Sequence, residues 1–215
     1  MLKLSKTSKL DGIMSWSLEA RTTCPGSMHK GKLVPACAGC YATTGNYRFN
    51  NVEAPRLHNQ EDWKRADWVS DMVQSLDSAQ YFRWFDSGDM YALPLARKIL
   101  AVMQQTPHVK HWLPTRMAKF AKFKQVITEM QSLPNVMVRF SSDSVTGTFT
   151  NGVHGSVIIP TAKDAPKGTT LCRAYEHDGK CNGCRACYDK TIPVIAYPAH
   201  GKIMAKVIKI NLSRT

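Results

Sequence analysis

The sequence predicts an α/β fold in the form of an incomplete (β/α) barrel with five or six parallel strands. Strand-like apolar segments alternate with stretches of helical periodicity along most of the chain, a pattern typical of βα units around a parallel sheet. Polar or cysteine-rich loops follow most of these strands, as they do where parallel strands build a site. A chain of 215 residues is expected to form one domain, residues 1–215. Since it provides too few βα units for a complete eight-unit barrel, we expect an open sheet.

The individual elements are predicted from the spacing of apolar residues. Apolar residues three and four positions apart predict helices, and short β-rich apolar segments predict strands. We expect one long helix from Trp63 to Leu76, another after Pro94, and a third from Met117 to Met130. The stretches 141–155 and 163–168 are predicted loops. The predicted strands lie at residues 13–18, 81–86, 110–115, 135–140, 156–159, 193–197 and 203–210.

Seven cysteines fall into two groups, and both groups are expected at one rim of the sheet. Cys24, Cys37 and Cys40 come after the first predicted strand, and the cysteine-rich loop 172–187 comes after the fifth. The carboxyl ends of parallel strands meet at one edge, so the loops that follow them should lie close together.

The second group reads C-x8-C-x2-C-x2-C and comprises Cys172, Cys181, Cys184 and Cys187. Such a row favours an iron–sulfur cluster, because each two-residue gap lets neighbouring thiolates reach different irons of one cubane. Structural zinc is the rival interpretation, although zinc sites usually take two cysteine or histidine pairs from opposite ends of a longer loop. Disulfides or unliganded thiols are the third alternative.

The first group offers only three thiolates, in the pattern C-x12-C-x2-C. Three ligands on a four-iron, four-sulfur cube leave one iron open to a substrate or cofactor, whereas a fully ligated cube only stores or passes electrons. Alternatively, Cys24 is unrelated to the other two, or His29 completes a zinc site. Whether one cluster draws ligands from both groups stays open at this stage.

Composition limits the compartment and the partners. The first twelve residues lack the apolar run of a signal peptide, and no stretch approaches the roughly 18 apolar residues of a membrane span, so we expect a cytoplasmic protein without membrane contact. Seven cysteines, an odd number, argue for metal or redox chemistry in such a reducing compartment. The net charge of +13 predicts weak, non-specific nucleic-acid binding, because the basic residues are scattered and no recognition motif is visible.

Several polar residues near the predicted strand ends have both a functional and a structural interpretation. Asp86 and Asp89 could bind a cofactor amine or substrate, or cap the next helix and turn. The same choice applies to Ser142 and Asp143 in their loop. Arg116 could hold a carboxylate, and His200 could approach a cluster or orient a ligand. The tryptophans at core spacing are interpreted as packing residues; they are Trp63, Trp68, Trp84 and Trp112.

The three-cysteine loop and the turn Phe85-Asp86-Ser87-Gly88-Asp89 resemble those of a compact radical S-adenosylmethionine enzyme. The resemblance implies a 4Fe-4S cluster on Cys24, Cys37 and Cys40 that chelates S-adenosylmethionine, with Ser87, Gly88 and Asp89 binding the cofactor. The spacing departs from the family's usual C-x3-C-x2-C by nine extra residues between the first two cysteines.

A second resemblance covers nearly the whole chain. The segments TTCPGSMHKGKLVPACAGCYA (22–42), RWFDSGDMY (83–91) and CNGCRACYDKTIPVIAYPAHGK (181–202) are similar to the phage proteins called gene product 88. This resemblance implies a viral gene expressed in a bacterial cytoplasm and leaves the activity open.

Three classes of function follow from these patterns. The leading hypothesis is an iron–sulfur enzyme that uses radical or Lewis-acid chemistry on an unknown small molecule, with one or two 4Fe-4S clusters. The second is an electron carrier or redox sensor, which the lack of a convincing catalytic acid or base keeps open. The third is a zinc-binding nucleic-acid-binding protein, favoured by the charge and disfavoured by the βα pattern.

Overall fold

The computed structural model describes residues 1–149 and 152–213 and has a mixed α/β architecture built on an eight-stranded, mostly parallel sheet. The strands are β1 (Ser5–Thr7), β2 (Ile13–Trp16), β3 (Met28–His29), β4 (Lys32–Leu33), β5 (Tyr81–Trp84), β6 (Lys110–Thr115), β7 (Val136–Ser141), β8 (Gly155–Ile159), β9 (Thr170–Leu171) and β10 (Val194–Pro198). The α-helices are α1 (Pro35–Ala38), α2 (Asn50–Asp62), α3 (Trp68–Ser75), α4 (Leu93–Gln105), α5 (Lys124–Ser132) and α6 (Lys202–Leu212).

The sheet follows chain order for most of its width, as β1-β2-β5-β6-β7-β8-β10-β9. β1 pairs antiparallel with β2, and every other pair of neighbours in this sheet is parallel. The strands β3 and β4 form a separate hairpin within the loop that follows β2. Seven strands of this sheet are parallel, so the expectation of five or six is one or two strands too low, and the two-residue β9 has too short an apolar signal to be recognised.

One face of the sheet, here called the helix face, packs against α3, α4 and α5. Alternate strand residues such as Trp16, Trp84 and Val138 join helix residues such as Met72 and Ile99 in one buried cluster. Side chains alternate between the two faces of a strand, so the neighbouring residues point to the opposite side. That opposite side, the loop face, carries Tyr81, Arg83, Trp112, Met137 and Arg139.

A buried histidine lies on the helix face. The Trp84 indole N–H donates to His111 Nδ1 at 3.3 Å, and His111 Nε2 lies 2.9 Å from the hydroxyl of Thr106. Since an indole only donates, Nδ1 must accept, which fixes the neutral tautomer with the proton on Nε2. Burial lowers the pKa of His111 to about 3.

Two of the predicted helices have different bounds. The expected helix from Trp63 to Leu76 is wrong over its first part: α2 ends at Asp62 and α3 begins at Trp68. Arg65 holds the turn between them, because its guanidinium pairs with Asp62 on one side and with Asp71 on the other. The expected helix from Met117 to Met130 begins as two short 3-10 turns and becomes α-helical only at Lys124.

The predicted terminal strand at 203–210 is also wrong, because these residues belong to α6. Met204 and Ile208 lie four positions apart and pack with Ala36 of α1 and Val145. A helix turns the intervening Lys206 away from this pair and leaves it exposed, as observed, whereas a strand with its period of two would bury Lys206 on the same side. Within residues 1–149 and 152–213, none of the helices is both long and apolar enough to cross a membrane.

Candidate functional site

The first cysteine loop lies across the carboxyl ends of the central strands. The backbone N–H of Leu18 donates to Ser87 O at 3.0 Å in the loop after β5, and the N–H of Ala36 donates to Asp143 O at 2.9 Å after β7. Pro35 begins the short helix α1, which carries Cys37 and ends just before Cys40. The loop is therefore fixed to several strand ends at once.

This loop brings its three thiols together. Cys24, Cys37 and Cys40 interact electrostatically with one another. Burial, followed by the nearby Asp89 carboxylate, raises the pKa of Cys24 to about 12. Burial also raises the pKa of Cys37, against the opposing effect of Arg116. Without a bound cation, Cys24 and Cys37 therefore stay protonated at neutral pH, whereas metal ligation requires their thiolates.

Two glycines let the first loop approach its neighbours closely. A Cβ added to Gly26 would lie 2.5 Å from Arg116 Cβ, and one added to Gly39 would lie 2.9 Å from Met204 Cε. Lys119 strengthens the first contact, since its ammonium donates to Gly26 O at 2.7 Å. Arg116 itself pairs with Asp143 at 3.4 Å and donates to Ser142 O at 2.8 Å.

The turn Ser87-Gly88-Asp89 lies beside this loop and is held by hydrogen bonds to protein groups. The Asp89 carboxylate accepts hydrogen bonds from the backbone N–H of Met90 and Arg116 and from the hydroxyl of Thr115, all at 2.8 Å. Burial raises the pKa of Asp89 despite these donors. Gly88 has a φ of +79°, and a Cβ there would lie 2.6 Å from Leu18 Cβ. These contacts give the turn a clear structural role, and its cofactor role stays a prediction.

A cleft of about 300 Å³ opens beside Cys40. Its wall includes polar and charged side chains of both signs, among them Arg21, Arg48 and Glu53. Arg21 adopts a φ of +73°, which is uncommon for a residue with a side chain and often marks functional loops.

The second cysteine loop covers the loop face of the sheet. Cys172 follows β9 and donates its N–H to Ala196 O at 2.8 Å, and Cys181 donates its N–H to Lys9 O at 2.7 Å. Cys187 Sγ lies 3.1 Å from the hydroxyl of Tyr197. Tyr188 is buried against Trp112 and Met137 on the loop face.

The four thiols of this loop also come together. Cys181 interacts electrostatically with Cys172, Cys184 and Cys187, and burial raises its pKa to about 11. Burial raises the pKa of Cys187 as well, while the Tyr197 hydroxyl and Arg139 oppose that shift. Cys184 is the exposed member of the group.

Both cysteine loops begin at the carboxyl-end rim of the sheet, and the second one then extends back across the loop face. Cys172 follows the carboxyl end of β9, as the first loop follows that of β2. Beyond Cys172 the loop reaches residues that precede β2 and begin β5: the Gly183 N–H bonds to Asp11 Oδ2 at 3.0 Å, and Tyr188 packs on Tyr81 with ring centroids 5.0 Å apart. A common rim for the two sets of thiols stays a prediction.

Residues between the two groups include one that the sequence suggested and several that it did not. His200 lies between Tyr41 and Tyr175, with ring centroids 6.4 Å and 4.6 Å away. Sequence reasoning missed Arg83, Arg139 and Tyr197, which face the second loop. An arginine inside the apolar strand segment VMVRFS was the available signal for Arg139.

The donor set suits thiolate-bound metal, with three thiols in one group and four in the other. In residues 1–149 and 152–213, no three or more His, Cys, Asp and Glu side chains converge on a point that would hold one metal ion. Ligands of an iron–sulfur cube bind different irons and need not converge on a single point.

Comparison with known proteins gives one match. The family model described as Gene product 88 matches residues 2–207. The searches of curated proteins and of solved structures found no match. Since the matched region spans almost the whole chain, this chain belongs to the gene product 88 family.

Proposed function

We propose that this protein is an iron–sulfur protein with two centres. Cys172, Cys181, Cys184 and Cys187 would hold a fully ligated cluster, and Cys24, Cys37 and Cys40 would hold a second cluster with one open iron. The observation that carries the proposal is the separation of seven cysteines into one group of four and one of three, each drawn together by its own loop. A group of four thiolates closes a cube, and a group of three leaves one position free.

The surroundings of the first group favour an enzyme. The cleft beside Cys40 gives a small molecule access to the open position, and its charged wall suits a polar ligand. We propose S-adenosylmethionine as that ligand, by resemblance to the radical enzymes, and the consecutive parallel strands support an incomplete barrel of that type. When bound, such a cluster supplies one-electron chemistry. The chain's own residues would orient the ligand and limit water access.

The turn after β5 contributes to this proposal with one condition. Ser87, Gly88 and Asp89 can contact a cofactor amine only if the Asp89 carboxylate accepts a further donor or releases Thr115 or Arg116. The three protein donors that Asp89 already binds favour the second candidate function, an electron carrier or redox sensor without a substrate. We place both functions in the reducing cytoplasm of a bacterial host, where thiolates persist.

Anaerobic purification with iron and sulfide analysis tests the proposal. We expect a coloured protein with about eight irons per chain for two cubes, or about four if only one is assembled. Colourless, zinc-loaded protein would contradict the iron–sulfur assignment.

Electron paramagnetic resonance of the reduced protein then separates the two candidate functions. Added S-adenosylmethionine should perturb the signal that disappears in Cys40→Ala and leave unchanged the signal that disappears in Cys184→Ala. An unperturbed spectrum at saturating S-adenosylmethionine would leave the carrier as the better function.

A further inference from the structure

Arg139 is the most completely buried charged side chain next to the second cysteine loop. It has no exposed surface, and it lies on the loop face of β7. All five of its N–H donors meet backbone carbonyl oxygens of the loop at 2.8–3.1 Å. The acceptors belong to Ala186, Cys187, Asp189, Ile192 and Pro193.

These bonds satisfy the donors of Arg139 but leave its charge without a carboxylate partner. Arg83 on the same face provides a contrast, because it pairs with Asp86 at 3.1 Å and lies over the Trp112 ring at 4.7 Å. In the part of the chain that the structure describes, no carboxylate lies within ion-pair distance of Arg139, and the exposed Asp189 carboxylate interacts with it only at longer range. Carbonyl dipoles supply only partial negative charge, and a fully buried cation normally has a full counter-charge.

The second cysteine group is a source of counter-charge that lies beside Arg139. Arg139 binds the Cys187 carbonyl at 3.0 Å and interacts with its thiol, and the Cys187 thiol interacts with that of Cys172. Four thiolates bring four negative charges, and a cube carrying two positive charges reduces the total to about two negative charges. A loaded centre would therefore supply the anion that Arg139 lacks.

We propose that Arg139 is the positioning residue and the buried counter-charge of an anionic centre held by Cys172, Cys181, Cys184 and Cys187. This inference rests on the proposed iron–sulfur function. One-electron reduction of the centre, by a low-potential reductant such as dithionite, adds one negative charge to it. The guanidinium stabilises the reduced form more than the oxidised form, so it raises the reduction potential.

Redox titration of the complete iron-loaded protein, followed by electron paramagnetic resonance, tests this role. The signal of the second centre is identified as the one lost in Cys184→Ala. Arg139→Gln removes the charge and keeps two amide donors, whereas Arg139→Lys keeps the charge and loses the five-donor fork. Arg173→Gln is the matched control, because Arg173 follows Cys172 directly but is 67% exposed and pairs with Glu176.

We expect Arg139→Gln to lower the equilibrium constant for reduction at least tenfold, which for one electron is about 59 mV. Arg139→Lys should stay within about threefold of the wild type while losing thermal stability. The control should leave the potential unchanged, since an exposed charge is screened by solvent.

The outcomes separate this inference from the proposal beneath it. Equal potentials in wild type and Arg139→Gln would overturn the counter-charge role and leave the iron–sulfur function standing. If Arg139→Gln does not fold, a tenfold change in Arg139→Lys would overturn the role, because that variant keeps the charge. Wild-type protein without iron would overturn both proposals.

Discussion

The two cysteine loops are held in place by different means. The first is tied by backbone hydrogen bonds to several strand ends and by close glycine contacts such as Gly26 against Arg116. The second is tied by backbone hydrogen bonds from Cys172 and Cys181, by the buried side chain of Arg139, and by aromatic packing of Tyr188. Its own glycines, Gly179 and Gly183, have no atom within 4 Å of an added Cβ.

Because of this difference, we expect disorder of the two loops to have different consequences. The first loop closes one end of the sheet and borders a cleft, and its disorder would expose its small buried residues Val34 and Ala36. The second covers Trp112 and Met137 on the loop face, so its disorder uncovers apolar surface. The first region is therefore distinguished by the cleft beside Cys40, and the second by the apolar surface that it covers.

Removing one ligand from each loop should give the largest contrast. Cys184→Ala should abolish the second centre and lower the free energy of unfolding by about 3 kcal/mol, because metal binding is coupled to the order of its loop. For a chain of this size the melting temperature should fall by roughly 6–12 °C. Calorimetry and iron analysis of the anaerobic protein measure both effects.

Cys40→Ala is the matched variant in the first loop. It should remove a similar amount of iron with less than half of the loss in melting temperature, since backbone hydrogen bonds and close glycine contacts hold that loop without the metal. Equal losses in the two variants would contradict the contrast between the regions.

Glycine substitutions should produce the next largest effect. Gly26→Ala should cost about 2.5 kcal/mol, because its Cβ would lie 2.5 Å from Arg116 Cβ and 2.9 Å from Arg116 O. Gly183→Ala in the second loop should cost only about 1 kcal/mol, from its φ of +81°, since the space around it is open. Denaturant unfolding measures both costs, and a reversed order would show that the first loop is the more adaptable one.

Acid should lower the stability of the fold that carries both cysteine loops, through His111 on the helix face. His111 has its pKa lowered to about 3, so the folded protein keeps it neutral while the unfolded chain takes up a proton below about pH 6.5. Stability from this group is therefore fully present above about pH 6.5 and is lost as the pH falls towards 3. Lowering the pH from 7 to 5 should cost about 2 kcal/mol.

The pH dependence of His111→Gln isolates this contribution. Between pH 7 and pH 5 its free energy of unfolding should fall by about 2 kcal/mol less than that of the wild type. Replacement of the exposed His177 by Gln is the control and should leave the slope unchanged. A wild-type slope in His111→Gln would contradict the assignment.

The sequence predicted the central elements well, because local patterns determine them. The apolar segment that forms β6, the Pro94 signal for α4 and the grouping of each cysteine set are all features of nearby residues. The α6 segment was misassigned because the residues that bury one of its sides, Ala36 and Val145, are distant in sequence. The placement of the second loop depends on Arg139, whose partners lie about 50 positions further along the chain.

The contacts between the N-terminal hairpin and the second loop determine the order in which the chain can fold. Asp11 accepts a hydrogen bond from Gly183, 172 positions away, and pairs with Arg185 at 2.9 Å. A growing chain can pair β2 with β5, β6 and β7 long before residue 183 is synthesised, because those contacts are closer in sequence. The second cysteine group therefore assembles late, on central strands that have already paired.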